Sequence, residues 1–298
     1  MNRANSVSTF DFSTLYTKIP HDKLKNVMNE LIDFCWRGCR DCHIRVTKRG
    51  AQWPKEIPKK DNNTLTFSKD LFKEAINFLI SNCHFTVGSK IFRQIIGIPM
   101  GSDPSPFMAN LFLFYYESKF LKELTKTDNR KARLFSSVFR YLDDLIAIND
   151  GGLFEQNYRE IYPPELELKK ENNGYSTASF LDLDIAICGK RFNLKLYDKR
   201  DAFPFSIVRM PNLSNNMPSR IFYATIGSEI LRIGKCTTER TDFINTCCTL
   251  MVRMKNQGAT YFKMKSLVNT VYNKHPSIFA PFHENATNLL QNIFPYDQ

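Results

Sequence analysis

The sequence lacks the features that mark secreted, membrane-spanning and repetitive proteins. No uninterrupted apolar stretch reaches the roughly 18 residues of a membrane-spanning helix, and the N-terminal MNRANSVSTFDFS has no apolar core like that of a signal peptide. There is no low-complexity tract, no internal repeat and no recognisable nuclease motif. We therefore expect an intracellular protein that does not enter a membrane.

The cysteines do not follow a disulfide framework, although there are eight, at positions 35, 39, 42, 83, 188, 236, 247 and 248. In a chain of 298 residues this spacing predicts unpaired thiols in a reducing compartment. The segment CWRGCRDCH holds the zinc-binding residue types Cys35, Cys39, Cys42 and His43, but so short a segment makes a poor tetrahedral site. We expect buried or helix-end thiols there, with a zinc site as the alternative.

Acidic residues are scarce relative to basic ones. The chain has 30 Asp and Glu against 41 Lys and Arg, which gives a net charge of +11. A basic balance of this size favours a polyanionic partner such as nucleic acid, with a generic soluble surface as the alternative. The 25 Phe and 12 Tyr, in a chain that is 43% hydrophobic, are enough for a sizeable core.

Hydrophobic periodicity predicts several helices. Helical spacing runs from Pro20 towards Gly38, where a C-cap glycine is expected, and a second helix is expected after Ser68. Between them, KRGAQWPKEIPKKDNN predicts a polar loop. A long aromatic helix is expected after GIPMGSDPSP, with Ser105 as its cap and Pro106 in its first turn.

Alternating patterns predict strands between these helices. HFTVGSKIFRQI predicts a β-hairpin around Gly88, STFDFS and FRYLDDLIAIN contain short strands, and SFLDLDIAI and FNLKLY are each predicted as one strand. From about Ser219 the pattern becomes helical and basic. Three prolines between positions 204 and 218 mark the change, so we predict domains at 1–205 and 206–298.

Two adjacent aspartates, Asp143 and Asp144, interrupt the apolar run FRYLDDLIAIN. Because Asp tolerates turn geometry, the pair alone predicts a solvated hairpin turn. Asp11, in the alternating strand STFDFS, and the loop GIPMGSDPSP favour a different interpretation. Carboxylates at neighbouring strand ends are able to hold two divalent cations, which assist the attacking and leaving oxygens in phosphoryl transfer.

Taken together, these segments resemble the reverse transcriptases, and among them the Penelope-like retroelements most. FDFSTLYTKIP is similar to the first palm motif of that family, GIPMGSDPSP to the second, YLDD to the third, and LELKKENNG with SFLDLDI to the fourth and the primer grip. The resemblance covers roughly residues 8–200, and the helical remainder resembles a thumb more loosely. It implies an α+β fold in which a polymerase palm, an antiparallel sheet backed by helices, is followed by an α-helical thumb.

The resemblance also implies a role for each matching residue. Asp11, Asp143 and Asp144 would be the catalytic acids and, with the backbone carbonyl of Phe12, the ligands of two Mg²⁺ ions, or of Mn²⁺ in their place. Tyr16 would be the steric gate that excludes a ribose 2′-hydroxyl. The other implied positions bind the nucleotide (Gln94, Gly97, Pro99, Gly101, Ser102, with Lys169 or Lys170 as general acid) or grip the primer (Phe180, Leu181, Asp182).

Two departures from the family pattern affect the nucleotide site. Ile96 directly precedes Gly97, where many relatives have Gln, and Gln94 lies two positions earlier. Only ten residues precede Asp11, where relatives carry a fingers subdomain whose basic residues grip the triphosphate. The resemblance therefore implies that most of the fingers is missing, with slow extension and weak nucleotide binding as the consequence.

The resulting hypothesis is an RNA-directed DNA polymerase of a retrotransposon that acts on an RNA template and a DNA primer with deoxynucleoside triphosphates. One alternative is a catalytically inactive, nucleic-acid-binding fragment of such an element. The other is an RNA-templated RNA polymerase, against which the aromatic ring of Tyr16 argues. We expect no membrane partner and a nuclear location.

Overall fold

A computed structural model describes residues 3–38, 42–53, 64–205, 207–208, 212–291 and 293. The chain divides into two compact units. The first unit is Phe10–Lys170, and the second unit consists of Met1–Thr9 and Glu171–Gln298. The predicted domains at 1–205 and 206–298 describe the palm and thumb modules that the resemblance implies. They are not a prediction of compact units, so they stay a prediction.

The first unit is built around a sheet with the strand order β7-β8-β1-β9, a smaller sheet with the order β3-β2-β4, and the β5-β6 hairpin. The elements up to Lys170 are, in chain order, β1 (Val7–Phe12), α1 (Leu15–Lys18), α2 (His21–Cys35), β2 (Ile44–Thr47), β3 (Gly50–Gln52), β4 (Thr64–Phe67), α3 (Lys69–Ser81), β5 (His84–Val87), β6 (Lys90–Arg93), α4 (Ser105–Thr127), α5 (Asn129–Leu134), β7 (Val138–Tyr141), β8 (Asp144–Ile148), α6 (Leu153–Ile161) and β9 (Leu168–Lys170).

The hydrophobic core of the first unit lies on one face of its four-stranded sheet. Side chains alternate along a strand, so β1 directs Phe10 and Phe12 into this core, and β8 adds Leu145 and Ala147. Helices α2, α4 and α6 contribute further buried side chains to the same core. The alternation that predicted a strand around Asp11 separates Asp11 from the core-facing Phe10 and Phe12, although Ser8 and Thr9 earlier in β1 are buried as well.

Three local predictions in this unit are confirmed. Helix α2 begins directly after Pro20 and buries its apolar face. Helix α3 begins after Ser68, whose hydroxyl oxygen accepts a hydrogen bond from the N–H of Leu71 at 3.3 Å. Strands β5 and β6 form a hairpin that turns at Gly88, which has the left-handed φ of +61° that favours glycine.

Two other local predictions are wrong. Ser105 does not cap α4 but is its first helical residue, because Pro104 before it already has helical dihedral angles; Pro106 lies in the first turn as predicted. Gly50–Gln52, in the predicted polar loop, forms strand β3, because the edge of β2 offers it backbone partners such as Val46 opposite Ala51. Residues 54–63 of that loop lie outside the described part of the chain.

The second unit combines a three-stranded antiparallel sheet, in the order β10-β11-β12, with five helices in its described residues. Its elements are β10 (Thr177–Phe180), β11 (Leu183–Cys188), β12 (Arg191–Leu196), α7 (Ser219–Cys236), α8 (Arg240–Asn256), α9 (Tyr261–Lys274), α10 (Pro276–Phe279) and α11 (Ala286–Gln291). The predicted change to helices at about Ser219 is confirmed. SFLDLDIAI is not one strand but a hairpin, because Leu181 and Asp182 form a two-residue turn between β10 and β11. Within the described residues, no helix has the length and apolarity of a membrane span.

Candidate active site

The two acidic segments singled out by the sequence meet in the four-stranded sheet. Strands β7 and β8 form a hairpin with Asp143 in its two-residue turn and Asp144 as the first residue of β8. The neighbouring strand is β1, where the N–H of Phe12 donates a hydrogen bond to the carbonyl of Asp143 at 3.1 Å. The strand that carries Asp11 therefore lies directly beside the turn that carries Asp143.

The side chains of Asp11 and Asp144 belong to the face of the sheet that is opposite the core. Phe10 and Phe12 enter the core, so Asp11 between them lies on the other face, and the same alternation on β8 places Asp144 opposite to Leu145. Among the described residues, no three His, Cys, Asp or Glu side chains are gathered as a metal cluster. The aspartates thus lie on adjacent strands without forming a closed cluster, and their carboxylate oxygens are of the type that Mg²⁺ prefers.

Tyr16 lies close to these acids. It belongs to the short helix α1, and not to a turn as predicted, because the carbonyl of Thr14 accepts hydrogen bonds from the N–H groups of Thr17 and Lys18 at 3.1 and 3.0 Å. Burial of the phenol, and secondly the negative charge of Asp143, raise the pKa of Tyr16. The ring is therefore within electrostatic reach of the Asp143 carboxylate.

Backbone hydrogen bonds connect the Gly/Pro loop between β6 and α4 to α1 and to the residue that follows α1. The N–H of Gly97 donates to the carbonyl of Ile19 at 2.8 Å, and the N–H of Ile98 donates to the carbonyl of Tyr16 at 2.7 Å. A Cβ on Gly97 would lie 2.4 Å from that Tyr16 oxygen, and Gly97 has a φ of +79°. A glycine is therefore required at this close approach. His21 supports it through Nε2, which lies 2.7 Å from the carbonyl oxygen of Gly97.

The other predicted nucleotide-binding positions of this loop are less tightly held. Gly101 has a φ of +90° and open space around its Cα, and Pro99 is half-buried. The carbonyl of Ser102 accepts the N–H of the first residue of α4 at 3.1 Å. The N–H of Gln94 donates to the carbonyl of Cys83 at 2.8 Å, at the base of the β5-β6 hairpin. Their contacts with a nucleotide stay predictions.

The two candidate general acids lie on opposite faces of the sheet. In the antiparallel pairing of β1 with β9, Asp11 stands opposite Lys169 and Phe10 stands opposite Lys170. Directly opposite residues share a face, so Lys169 lies on the side of Asp11. Lys170 lies on the core side, where its ammonium group is 2.6 Å from the carboxylate of Glu155 on α6. The register therefore favours Lys169, a choice that the spacing in the sequence left open.

The predicted primer-grip residues form a turn in the second unit. Phe180 ends β10, and Leu181 begins the two-residue turn with a φ of +53°. The carbonyl of Asp182 accepts the N–H of Tyr197 at 2.8 Å, and its carboxylate lies 3.5 Å from the guanidinium of Arg232. The turn is thus held at its backbone and at one side chain, and its contact with a primer stays a prediction.

The cysteine-rich segment differs from the prediction in one respect. Cys42 is disulfide-bonded, whereas the sequence predicted unpaired thiols. The indole N–H of Trp36 donates to the carbonyl of Cys42 at 2.9 Å, which holds Cys42 beside the end of α2. Cys35 is free and exposed, and Cys39 lies outside the described residues. A disulfide sulfur is not a thiolate ligand, so Cys42 in this state does not fit the alternative zinc site.

Two residues that the sequence analysis did not single out support the site. One is His21, and the other is Arg140, whose guanidinium donates to the carbonyl of Leu142 in the β7-β8 turn at 3.1 Å. A charged residue inside an apolar strand needs a partner, so Arg140 in FRYLDD carried a signal that was available in the sequence. His21 carries no comparable signal.

Comparisons with known proteins find similarity to solved structures. No protein-family model and no curated protein sequence matches the chain. The telomerase of Candida albicans, in complex with a TWJ fragment of telomeric RNA, matches with a TM-score of 0.57 and 10% identity, over 98% of this chain and 48% of that one. The apo telomerase of Candida tropicalis matches with a TM-score of 0.45 and 13% identity, over 98% of this chain and 49% of that one.

A telomerase of Candida tropicalis in complex with RNA gives a TM-score of 0.44 at 16% identity, over 98% of this chain and 46% of that one. The chain spans about half the length of these structures. At such low identity the likeness concerns the fold, and it is carried by the first of the three. The predicted α+β class, with antiparallel sheets and helices as in the palm and thumb of a polymerase, is confirmed. The chain has a reverse-transcriptase-like fold.

Proposed function

We propose that the chain is the palm and thumb part of an RNA-directed DNA polymerase, of the kind that Penelope-like retrotransposons carry. The observation that supports this most is the meeting of three sequence segments at one place. The strand of Asp11 is bonded to the turn of Asp143, and α1 brings Tyr16 between that turn and the loop of Gly97. The Penelope-like assignment and the nuclear location rest on the sequence motifs alone.

The acidic face of the sheet would bind the metal ions of the reaction. Asp11, Asp143, Asp144 and the carbonyl oxygen of Phe12 would hold two Mg²⁺ ions, or Mn²⁺ in their place. When bound, such ions activate the primer 3′-hydroxyl as nucleophile and stabilise the charge on the leaving pyrophosphate. The chain itself positions the ligands: Asp11 lies on a central strand, and the carbonyl of Asp143 accepts the hydrogen bond from Phe12.

The surroundings of this face suit a deoxynucleoside triphosphate. Tyr16 would place its ring against the sugar and exclude a 2′-hydroxyl. The phenol of Tyr16, whose usual pKa of 10.0 is raised further, is protonated at neutral pH, so the ring adds no negative charge near the phosphates. The loop from Gly97 to Ser102 would line the nucleotide site, and Lys169 would donate a proton to the pyrophosphate from the side of Asp11.

The remaining partners in the proposal are an RNA template and a DNA primer. The chain has a net charge of +11, and the second unit presents exposed lysines on its helices, among them Lys235, Lys263 and Lys274. Such side chains would contact backbone phosphates without regard to sequence, so binding should weaken steeply with added salt. The Leu181–Asp182 turn would contact the primer end.

Primer extension on an RNA template tests this function. We expect the full chain, with Mg²⁺, to extend a DNA primer slowly, with deoxynucleotides in preference to ribonucleotides. Asp143→Asn should abolish extension while leaving primer-template affinity unchanged, because a metal ligand is lost and no packing changes. Asp70→Asn, which changes an exposed aspartate on α3, is the matched control and should extend normally.

Other outcomes would identify other functions. Preferred use of ribonucleotides would identify an RNA-templated RNA polymerase. Salt-sensitive duplex binding without extension would identify an inactive nucleic-acid-binding fragment. Undiminished extension by Asp143→Asn would contradict the assignment of the site.

A further inference from the structure

The side chain of Arg140 lies under the β7-β8 turn and is only 9% exposed. Its Nε and Nη2 donate to the two carboxylate oxygens of Glu117 on α4 at 2.6 and 3.0 Å. Its Nη1 donates to Oδ1 of Asn110, also on α4, at 2.7 Å and to the carbonyl of Leu142 at 3.1 Å. One planar side chain therefore connects the long helix α4 to the backbone of the turn.

The hydrogen bond from Arg140 is accepted by a residue, Leu142, whose backbone conformation is strained. Leu142 has a φ of +55°, in the left-handed region that a branched side chain rarely occupies, and it is the first residue of a two-residue hairpin turn. Such a conformation persists only where the surroundings hold it. Here Arg140 holds the carbonyl of Leu142, and the next residue, Asp143, is held by the N–H of Phe12. Asp143 is thus fixed from both of its sides.

The partners of Arg140 are themselves ordered. The hydroxyl of Tyr162 donates to Glu117 at 2.8 Å, so the carboxylate accepts three hydrogen bonds from two side chains. An apolar cavity of about 120 Å³, whose lining includes Phe120 and Phe154, lies beside them. Because Arg140 is largely buried and Glu117 is only 24% exposed, the pair needs its hydrogen bonds satisfied, and it then has one well-defined arrangement.

We propose that Arg140 is a positioning residue that sets the Asp143 turn from helix α4, so that the Asp143 carboxylate is presented to a divalent cation. Arg140 does not touch substrate in this role; it acts through the carbonyl of Leu142. The inference rests on the proposed function for its kinetic consequence, but its structural consequence and its effect on metal binding do not depend on polymerase activity.

The decisive variant is Arg140→Lys, with Arg133→Lys on the exposed face of α5 as the matched control. A lysine retains a charge beside Glu117, so the full chain should fold with an unfolding temperature near that of the wild type. It cannot reach Glu117, Asn110 and Leu142 together, because a single ammonium group replaces the planar fork. Arg140→Met is the second variant, and it removes the charge as well.

Three measurements on the full chain separate positioning from general stability. Hydrogen exchange of a peptide spanning residues 139–149 should be faster in Arg140→Lys. The dissociation constant for Mn²⁺, from its electron paramagnetic resonance signal, should rise about tenfold, as expected from the loss of one charge-assisted hydrogen bond. The kcat for extension should fall by about tenfold to a hundredfold while the KM for deoxynucleotides changes by less than about threefold.

A substitution in the turn provides an independent test. In Leu142→Gly the left-handed conformation is no longer strained, so the turn depends less on the hydrogen bond from Arg140 to keep that conformation. The Mn²⁺ affinity of Leu142→Gly should therefore fall by less than about threefold when Arg140→Lys is added, compared with about tenfold in the wild-type background.

Several results would overturn the proposal. One is an Arg140→Lys variant with wild-type Mn²⁺ affinity and wild-type hydrogen exchange. A second is an equal loss of Mn²⁺ affinity in Arg133→Lys, and a third is a loss of full size when Arg140→Lys is added to Leu142→Gly. A wild-type chain that binds no Mn²⁺ would also overturn it. A wild-type chain that binds Mn²⁺ but does not extend primers would contradict the polymerase function only, and the Mn²⁺ affinities would still decide the role of Arg140.

Discussion

The contact between Gly97 and α1 gives a prediction whose size follows from the geometry. In Gly97→Ala the new Cβ would lie 2.4 Å from the carbonyl oxygen of Tyr16 and 2.9 Å from Cα of Thr17. Because optimal separations between heavy atoms are about 3.5 Å or more, the two backbones would have to separate by roughly 1 Å. The left-handed φ of Gly97 adds about 1 kcal/mol for any residue with a side chain.

That movement would break the hydrogen bonds from Gly97 to Ile19 and from Ile98 to Tyr16. At about 1 kcal/mol each, with the conformational term, the free energy of unfolding should fall by about 3 kcal/mol. Gly101→Ala is the matched control, since Gly101 has a similar φ of +90° and a Cβ added there would meet no atom within 4 Å. It should lose only about 1 kcal/mol.

Urea unfolding, followed by fluorescence and by circular dichroism, measures both free energies, and thermal unfolding gives the midpoint temperatures. The midpoint should fall by about 6 to 12 °C in Gly97→Ala and by about 2 to 4 °C in Gly101→Ala, given the usual relation for domains of this size. Equal losses in the two variants would refute the inferred approach of the loop to α1, because they would show that only the backbone conformation matters.

Three further predictions concern the site and the second unit. Tyr16→Val should raise the use of ribonucleotides relative to deoxynucleotides in primer extension, whereas Tyr16→Phe should not, because the ring rather than the hydroxyl excludes the 2′-oxygen; an unchanged ratio would make Tyr16 structural. Lys169→Gln should lower kcat by about a hundredfold, the range of general acid catalysis, and Lys170→Gln should leave kcat near wild type; the reverse order would contradict the register argument. Hydrogen bonds from Arg200, and then from Arg253, hold the pKa of Asp198 well below its usual value of 3.8, so the stabilisation is complete above that value and is lost as the pH falls below it. The wild type should therefore be more stable than Asp198→Asn at neutral pH and lose this difference as the pH falls below about 4, so Asp198→Asn should show a flatter dependence of stability on pH there.

The helices and strands with strong local signals could be predicted from the sequence. Periodic apolar residues and the Ser68 cap indicated α2 and α3, and Gly88 marked the β5-β6 turn. The β10-β11 hairpin was missed because its turn consists of Leu181 and Asp182, and a leucine with positive φ has no counterpart in turn preferences. Tertiary contacts maintain the positive φ of such a residue, and a local sequence pattern carries no information about those contacts.

The candidate site was predictable in its residue types and not in its arrangement. Asp11 and Asp143 stood out as carboxylates in apolar stretches of the sequence, but only the pairing of β1 with its neighbours places them side by side. The choice between Lys169 and Lys170 depends on strand register, in which a shift of one residue exchanges the two faces. The role of Arg140 depends on where α4 packs, which no pattern around that residue specifies.

The central claim is that the strand of Asp11 and the turn of Asp143 form one metal-binding site, and cleavage of the backbone by bound iron tests it most directly. With Fe²⁺ in place of Mg²⁺, ascorbate and peroxide generate hydroxyl radicals that cut the chain next to the ion, and mass spectrometry locates the cuts. We predict cuts in both residues 10–13 and residues 141–145, suppressed by excess Mg²⁺ and lost together in Asp143→Asn. Cuts in only one of these segments, or cuts that persist in Asp143→Asn, would contradict a shared site.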